Sequence, residues 1–243
     1  MSLSRTITSL DALRKMLPEP LCDALTPHAR IVTRQVRQVI LGFGDQTSDV
    51  FLILEGTARA TLHSPDGREV ILGDLGPGQL FGELAALDGQ RRTATVEATT
   101  ACVLASFPGG IFRSAVFAHP ETADWIARQL VGQIRLLTEK LFELNALAVR
   151  SRLHCELLRL SLASGIADNR SVIAQAPTHV QLASRIGTHR EAVTRELQYL
   201  LRQGIVAQDK RELVVNDVAR LTQLIRVAAG DVDVIHRAAP AFS

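Results

Sequence analysis

The pattern of hydrophobic and polar positions changes midway along the chain. Between residues 38 and 107, short apolar runs alternate with glycine turns, as in residues 50–54 before Gly56. Short runs with regular turn signals are typical of an all-β barrel or roll, and they leave no room for the helices of a βαβ sheet. We therefore predict an N-terminal β-roll.

After Pro120 the pattern becomes that of one long helix. Apolar or small side chains recur three and four residues apart, forming a heptad seam of Ala127, Leu130, Ile134, Leu137, Leu141, Leu144 and Ala148. Such a helix could pack on its own β domain, or it could join two subunits as a parallel coiled coil. The strict alternation gives a narrow apolar stripe, which favours the dimer.

Residues 178–204 have the pattern of two helices joined at a glycine. Thr178 and Gln181 have the spacing of a capping box that opens a short first helix, and Gly187 suits its left-handed end. Two helices joined so closely form a helix-turn-helix, in which the second helix enters the major groove of DNA.

The second helix is predicted to begin with its own capping box, formed by Thr188 and Glu191, and to end at Gly204. A β-hairpin wing follows over residues 205–215. The candidate DNA contacts are Thr178, Thr188, His189, Arg190, Glu191, Thr194 and Arg195, with Lys210 and Arg211 at the tip of the wing. The alternative is an ordinary helical pair with solvated charges, in which Glu191 is only a cap or pairs with Arg195.

Composition narrows the class of protein. The chain is 47% hydrophobic, its net charge is +2, and it has no apolar run near the roughly 18 residues of a membrane span. Its first residues lack the apolar segment of a signal peptide. The three cysteines, Cys22, Cys102 and Cys155, have no metal-binding spacing. We expect a cytoplasmic protein with no membrane partner.

The small net charge is unevenly distributed. Residues 1–150 hold 15 Lys/Arg against 16 Asp/Glu, whereas residues 151–243 hold 12 against 9. Within residues 178–211 the excess is six against three. A basic segment at the predicted helix-turn-helix is a weak indication of an anionic partner, and it predicts salt-dependent DNA binding.

One segment of the predicted β-roll carries chemistry suited to a phosphate. Gly82 and Glu83 lie in the run FGELA, which the run RTA, with Arg92 and Thr93, follows shortly after. An arginine beside a glycine turn with free backbone N–H groups can bind a phosphate, and a carboxylate can accept from a ribose hydroxyl. The alternative is a structural Glu83–Arg92 ion pair on a barrel turn.

These runs resemble the phosphate-binding cassette of cyclic-nucleotide-binding domains. From about residue 17 to 224, the order of parts resembles the Crp/Fnr superfamily of bacterial transcription regulators. The resemblance implies an α+β fold with a cyclic-nucleotide-binding jelly roll (1–120), a dimerisation helix (121–149), a winged helix-turn-helix (150–229) and a tail (230–243).

The resemblance also implies a ligand, cAMP or cGMP. Glu83 would bind the ribose 2′-hydroxyl, while Arg92 and Thr93 would hold the cyclic phosphate. Leu137 and Thr138 match two hydroxyl residues that reach the purine in the cAMP-responsive member, and Leu137 departs from that pattern. The implied ligand-binding residues are Gly82, Glu83, Leu84, Ala85, Arg92, Thr93, Leu137 and Thr138. We expect Arg92→Leu to abolish binding and to leave folding intact.

The run from Arg190 to Arg195 resembles the recognition signature of the catabolite activator protein branch, which implies a palindromic site with TGTGA-like half-sites. The cysteine cluster of oxygen-sensing relatives is absent, so we expect no iron–sulfur cluster, and likewise no haem and no metal. The expected protein is a homodimer that binds double-stranded DNA and RNA polymerase, and no catalytic residue is predicted.

We hypothesise that nucleotide binding shifts the population toward a form whose two recognition helices lie about 34–36 Å apart. Two alternatives stay open. One is a regulator of the same type that needs no nucleotide. The other is a nucleotide-binding regulatory subunit whose C-terminal helices bind protein.

Overall fold

In the computed structural model, residues 12–209 and 212–229 are described, and the chain divides into two compact units, Met1–Gln129 and Leu130–Ser243. The first unit is rich in strands. Its elements are α1 (Glu19–Leu25), a 3₁₀ turn (Thr26–His28), β1 (Arg30–Arg34), β2 (Val39–Leu41), β3 (Val50–Glu55), β4 (Ala58–His63), β5 (Glu69–Leu75), β6 (Leu80–Phe81), α2 (Glu83–Asp88), β7 (Thr95–Ala98), β8 (Cys102–Phe107) and α3 (Gly109–Ala118).

The strands form two antiparallel four-stranded sheets, ordered β1-β8-β3-β6 and β2-β7-β4-β5. Apolar side chains from both sheets, among them Phe51 and Leu104 of the first and Leu41 and Val96 of the second, meet in one buried core. Because inward positions alternate with outward ones along each strand, one face of each sheet can be buried. The predicted β-roll is confirmed.

The turns between strands use glycines where other residues would not fit. Gly56 has φ +84°, and a Cβ there would lie 2.2 Å from the carbonyl oxygen of Ala101. A side chain at this position would therefore prevent the close approach of the turn to β8.

The long helix α4 runs from Pro120 to Ala146, 27 residues without a break. It confirms the predicted helix, except at its end. Ala148, the last position of the predicted seam, lies outside α4 in an extended conformation (φ −62°, ψ 153°) and precedes the next helix. The seam therefore ends at Leu144.

The second unit continues with α5 (Val149–Ser164), β9 (Ser171–Ile173), α6 (His179–Ile186), α7 (Arg190–Arg202), β10 (Val206–Asp209), β11 (Glu212–Val215) and α8 (Val218–Ala229). The three strands form one antiparallel sheet, ordered β10-β11-β9. A single apolar core, including Leu157, Leu182, Val193 and Leu221, lies among the helices and this sheet.

The remaining expectations concern the chain's end and the membrane. The predicted tail, residues 230–243, lies outside the described residues. Within the described part of the chain, none of the helices is both long and apolar enough to cross a membrane.

Candidate ligand and DNA-binding sites

The first site forms where β6 ends and α2 begins. Antiparallel pairing of Phe51 with Phe81 places the start of β3 beside the end of β6, and the two rings stack at 5.4 Å. Gly82 then turns the chain with φ +82°. A Cβ at Gly82 would lie 2.8 Å from Nη1 of Arg92 and 3.0 Å from the carbonyl oxygen of Asp49, so only glycine fits this turn.

The side chain of Arg92 lies at the centre of this site, and Arg92 is 3% exposed. Its Nη1 donates to the carbonyl oxygen of Gly82 at 2.7 Å, and its Nη2 donates to that of Asp49 at 2.7 Å. Its Nε donates to Oγ1 of Thr47 at 3.0 Å. One guanidinium therefore connects the loop before β3 to the glycine turn before α2.

Carboxylates surround this buried cation. Burial lowers the pKa of Arg92, and the negative charges of Asp49, Asp45 and Glu83 act in the opposite direction. Glu83 itself is buried, at 5% exposed, in the first turn of α2. The site thus combines a positive fork, a buried carboxylate and the first turn of a helix, whose N–H groups have no acceptor within the helix. These groups fit a sugar phosphate.

The other ligand-binding residues expected from the resemblance differ in how exposed they are. Ala85 is buried beneath the first turn of α2, while Leu84 and Thr93 are exposed. On α4, Leu137 is 55% exposed, and the hydroxyl of Thr138 donates to the carbonyl oxygen of Ile134 at 2.9 Å.

Two residues that hold Arg92 were missed by the sequence analysis, namely Thr47 and Asp49. They lie 45 and 43 positions before Arg92. Backbone hydrogen bonds bring their loop beside it: the N–H of Arg92 donates to the carbonyl oxygen of Asp45 at 3.0 Å, and the N–H of Gly44 donates to the carbonyl oxygen of Arg92 at 2.9 Å. No local spacing indicates such a contact.

The second site begins with the predicted capping box, which is confirmed. The hydroxyl of Thr178 accepts from the backbone N–H of Gln181 at 3.2 Å, and the Gln181 side chain accepts from the backbone N–H of Thr178 at 2.9 Å. Gly187 ends α6 in the left-handed region, as predicted (φ 64°, ψ 50°).

The second predicted capping box is wrong. Helix α7 starts at Arg190, and its N-cap is His189, which makes no side-chain capping bond. The backbone N–H of Thr188 donates to the carbonyl oxygen of Ala183 at 3.0 Å and so completes the end of α6. Because α7 begins at Arg190, Thr188 lies one position before the N-cap and Glu191 falls in the second position of the helix. The N–H of Thr188, which a capping box would pair with Glu191, is instead bonded to Ala183.

The exposed side of α7 carries a group of polar side chains that line one shallow depression. We call it the recognition surface; it comprises Arg190, Glu191, Thr194, Arg195 and Gln198. The first four were predicted to share a face, and the structure brings them together. Gln198 was missed, although its spacing of three and four residues from Arg195 and Thr194 places it on the same side of the helix.

Thr194 also has a contact inside the protein. Its hydroxyl donates to the carbonyl oxygen of Arg190 at 3.0 Å and lies 2.8 Å from Nδ1 of His179 on α6. A hydroxyl has one proton, so it accepts from Nδ1–H when it donates to the carbonyl. This contact connects the two helices of the motif beside the recognition surface.

The predicted wing is confirmed as an antiparallel hairpin, in which β10 and β11 pair from Val206–Val215 to Asp209–Glu212. Lys210 and Arg211, expected at its tip, lie outside the described residues.

The three cysteines lie in the interior of the protein. All three are buried and unbridged, and burial raises the pKa of the Cys155 thiol to about 12. Burial also raises the pKa of Cys102. Since the thiolate is the reactive form, neither group is activated near neutral pH.

Two known family models match the two regions of the chain that contain these sites. The family model of the cyclic nucleotide-binding domain matches residues 33–119, which contain the Arg92 site. The model of the Crp-like helix-turn-helix domain matches residues 151–224, which contain the recognition surface. The predicted DNA-binding function is therefore confirmed at the level of the domain.

Whole-chain comparisons agree with these matches. A CRP-like cAMP-activated global transcriptional regulator of Mycobacterium tuberculosis is 25% identical over 84% of this chain and 91% of its own length. The structure of FixK2 from Bradyrhizobium japonicum has a TM-score of 0.72 at 21% identity and covers 81% of this chain and 96% of its own. The c-di-GMP responsive global regulator CLP of Xanthomonas campestris has a TM-score of 0.70 at 20% identity, covering 82% and 99%.

These matches follow the order of the parts in this chain, from the β-roll through the long helix to the helix-turn-helix. The relative from M. tuberculosis is named as a transcriptional regulator and not as an enzyme. The chain accordingly belongs to the Crp/Fnr superfamily of DNA-binding transcription regulators.

Proposed function

We propose that this protein is a cytoplasmic, homodimeric transcription regulator whose binding to a palindromic DNA site responds to a cyclic nucleotide. The observation that carries the proposal is the buried Arg92, which bonds to the Gly82 turn and feels the charge of Glu83 inside the cyclic nucleotide-binding domain. A buried cation beside a glycine turn is suited to a phosphate, and a neighbouring carboxylate is suited to a sugar hydroxyl.

The assignment of roles follows the chemistry of each group. Arg92 and Thr93 hold the cyclic phosphate together with backbone N–H groups of Gly82, Leu84 and Ala85. Glu83 accepts from the ribose 2′-hydroxyl. Thr138, next to Leu137 on α4, is the candidate contact to the purine, and it leaves both cAMP and cGMP as ligands.

Dimerisation is supported by the apolar seam of α4. Ile134, Leu137, Leu141 and Leu144 are each at least half exposed in a single chain. A continuous apolar stripe with heptad spacing is typical of helices that pair with a second copy. Sedimentation equilibrium is expected to give twice the mass of the chain, and a monomer at micromolar concentration would contradict this part of the proposal.

DNA recognition is supported by the exposed side chains of α7. Arg190 and Arg195 offer paired donors to guanine, and Glu191 can accept from the amino group of cytosine. We assign them to TGTGA-like half-sites, with Thr188, His189, Lys210 and Arg211 at flanking phosphates. RNA polymerase is the further partner that we propose.

Parallel calorimetric titrations test the ligand. Protein freed of nucleotide is titrated with cAMP, with cGMP and, because one structural neighbour is named as c-di-GMP responsive, with c-di-GMP. We expect saturable binding of cAMP or cGMP at one site per chain. Absence of heat for all three at millimolar ligand would overturn the nucleotide part and leave DNA binding intact.

A second candidate function is a regulator of the same family that needs no nucleotide. It is favoured by one observation, namely that Arg92 already donates to Thr47, Gly82 and Asp49 within the protein. In that case the guanidinium is purely structural. DNA binding measured in nucleotide-free buffer separates the two candidates, because only this one predicts full affinity there.

A further inference from the structure

A group of charged side chains that are not part of the recognition surface is buried in the second unit. We call it the charge cluster; it comprises Glu143 on α4, Glu156 and Arg159 on α5, and Arg185 on α6. Glu143 and Glu156 are 4% and 3% exposed. Charged residues are rarely buried to this extent unless they are paired.

The cluster forms a continuous chain of charged hydrogen bonds across three helices. Nη2 of Arg159 donates to Oε1 of Glu143, and its Nη1 donates to Oε2 of Glu156 at 2.9 Å. The other oxygen of Glu156 accepts from Nη1 of Arg185 at 3.2 Å. Arg159 therefore uses both arms of its fork, one toward α4 and one toward the carboxylate that holds α6.

Glu156 and Arg159 keep their charges in spite of burial. Burial acts to raise the pKa of Glu156, but the positive charges of Arg159, Arg185 and Lys140 outweigh it and hold that pKa below its ordinary value. Burial acts to lower the pKa of Arg159, and Glu156 and Glu143 reverse it. The hydrogen bond between Arg159 and Glu156 therefore joins two charged groups at neutral pH.

Stability alone does not account for such a cluster. Apolar residues of similar volume often stabilise a core as well as a buried ion pair does, because each charge must be taken out of water. The surrounding core of this unit is already apolar. What charged hydrogen bonds add is fixed geometry, since each needs a defined distance and direction.

The position of the cluster indicates what it fixes. Only Leu147 and Ala148 connect α4 to α5, so this joint is where the DNA-binding helices could change their angle to α4. Glu143 lies in the last turn of α4, and Arg185 lies in the last turn of α6, next to Gly187 and the start of α7. The cluster bridges the joint.

We propose that Glu143, Glu156, Arg159 and Arg185 are positioning residues that fix the DNA-binding helices to the end of α4 and thereby set the half-site spacing that the dimer accepts. This inference rests on the proposed function, because spacing has meaning only for a dimer on a palindrome. In a two-fold dimer, a fixed angle between α4 and α7 allows one distance between the two recognition helices.

The test measures DNA affinity for palindromes whose half-sites are moved apart or together by one and two base pairs. Each added base pair moves a half-site along the DNA and rotates it around the axis. For wild type we therefore expect the DNA affinity to fall at least about tenfold per base pair of changed spacing. The double variant Glu143→Leu/Arg159→Met removes both partners of the α4–α5 bond. For this variant we expect the DNA affinities at all spacings to differ from one another by no more than about threefold.

A matched control lies on the same helix. Asp124→Ala/Arg128→Ala removes an exposed ion pair of α4, whose side chains are 60% and 77% exposed, and should keep the wild-type spacing profile. Binding to a single half-site is measured in parallel. If the double variant only weakened the fold, affinity would fall equally for all spacings and for the single half-site.

Arg159→Lys provides a second variant in case the first does not fold. It keeps a positive charge between the two carboxylates but cannot donate to both in a fork, so the spacing profile should broaden. A folded, dimeric variant of either kind with the wild-type profile overturns the inference. A wild-type protein without any preferred spacing contradicts the proposed function itself, before any variant is compared.

Discussion

The two candidate sites of this chain both contain arginines, but they differ in how deeply those arginines are buried. In the β-roll, Arg92 is 3% exposed and holds together the loop before β3 and the turn before α2. On α7, Arg190 and Arg195 are exposed, and separate buried groups hold the helix in place. In the first, the side chain that we propose binds the ligand also holds the fold together, whereas in the second the proposed binding residues and the residues that hold the helix are different.

The difference predicts how each surface responds to change. A substitution at Arg92 should alter both ligand binding and stability, because buried acceptors lose their donors. A substitution of Arg190 or Arg195, the exposed arginines of the recognition surface, should alter DNA affinity alone. The same contrast holds for the glycine turns at the two sites. A Cβ at Gly82 would meet a backbone oxygen, whereas the nearest atoms to a Cβ at Gly187 belong to side chains.

The largest effect is expected from Arg92→Met. It removes the donors to Thr47, Gly82 and Asp49 and leaves nearby carboxylates without their counter-charge. We expect a loss of about 4 kcal/mol in the free energy of unfolding and a loss of nucleotide affinity of at least about 100-fold. This differs from the expectation from sequence, in which folding was unaffected.

Urea denaturation and calorimetry measure the two losses separately. Arg91→Met is the matched control, because Arg91 is the exposed neighbour, whose Nη1 donates to the carbonyl oxygen of Gly44 at 3.0 Å. If Arg92→Met were as stable as Arg91→Met, the buried hydrogen bonds of Arg92 would not support the fold, and the contrast with α7 would be lost.

The two glycine turns give the next largest effect. Both residues have positive φ, but a Cβ at Gly82 meets Nη1 of Arg92 and a backbone oxygen, whereas at Gly187 it meets the side-chain end of Leu144 at 2.9 Å. Side-chain ends can move aside and backbone cannot. We expect Gly82→Ala to cost about 3 kcal/mol and Gly187→Ala about 1–2 kcal/mol.

Thermal and urea unfolding of the two variants check this order. Each variant serves as the control for the other, since both carry the same chemical change in the left-handed region. Equal losses would show that backbone strain alone matters, and that the Gly82 turn is no more enclosed than the Gly187 turn.

Much of the fold and part of each site could be predicted from sequence because the signals are local. The run from Gly82 to Arg92 spans few residues, and the capping box at Thr178 spans four. The partners of Arg92 could not be predicted, because backbone hydrogen bonds bring Thr47 and Asp49 to it from a distant loop. The second capping box failed because α7 begins one residue later than its spacing predicts, with His189 as the N-cap in place of Thr188.

The charge cluster was missed for a different reason. Glu156 and Arg159 look like solvated helix residues, and their burial depends on how α4 and α6 pack around α5. Polar side chains in a helix give no periodic signal that separates a buried hydrogen-bonded face from an exposed one. Their role becomes visible only in the assembled unit.

On the recognition surface, Arg190→Ala is expected to act on DNA alone. Loss of a paired donor to guanine should weaken binding to a TGTGA-like palindrome by about 10- to 100-fold, and unfolding should shift by less than about 0.5 kcal/mol because the side chain is exposed. Fluorescence anisotropy with matched and mismatched palindromes measures the loss. Arg202→Ala, in the last turn of the same helix, is the control, and equal affinities of both variants would place recognition elsewhere.

The smallest effect concerns the buried groups behind α7. Nε2 of His154 on α5 lies 2.7 Å from Oε1 of Glu196 on α7, and His154 is 4% exposed. Burial lowers the pKa of His154 below its ordinary value of 6.5, Glu196 opposes this, and Arg150 adds to it. The folded protein therefore takes up this proton less readily than the unfolded chain does.

The sign of the pH dependence follows from linkage. The stabilisation is fully present above about pH 6.5, where both states hold a neutral imidazole, and it is lost as the pH falls toward the folded-state pKa. We expect stability to decline between pH 7.5 and 5.5, and to decline less in His154→Gln, whose amide can still bond to Glu196. His63→Gln, an exposed position, is the control. Parallel stability curves for wild type and His154→Gln would mean that the contact between His154 and Glu196 does not make the stability of this unit depend on pH.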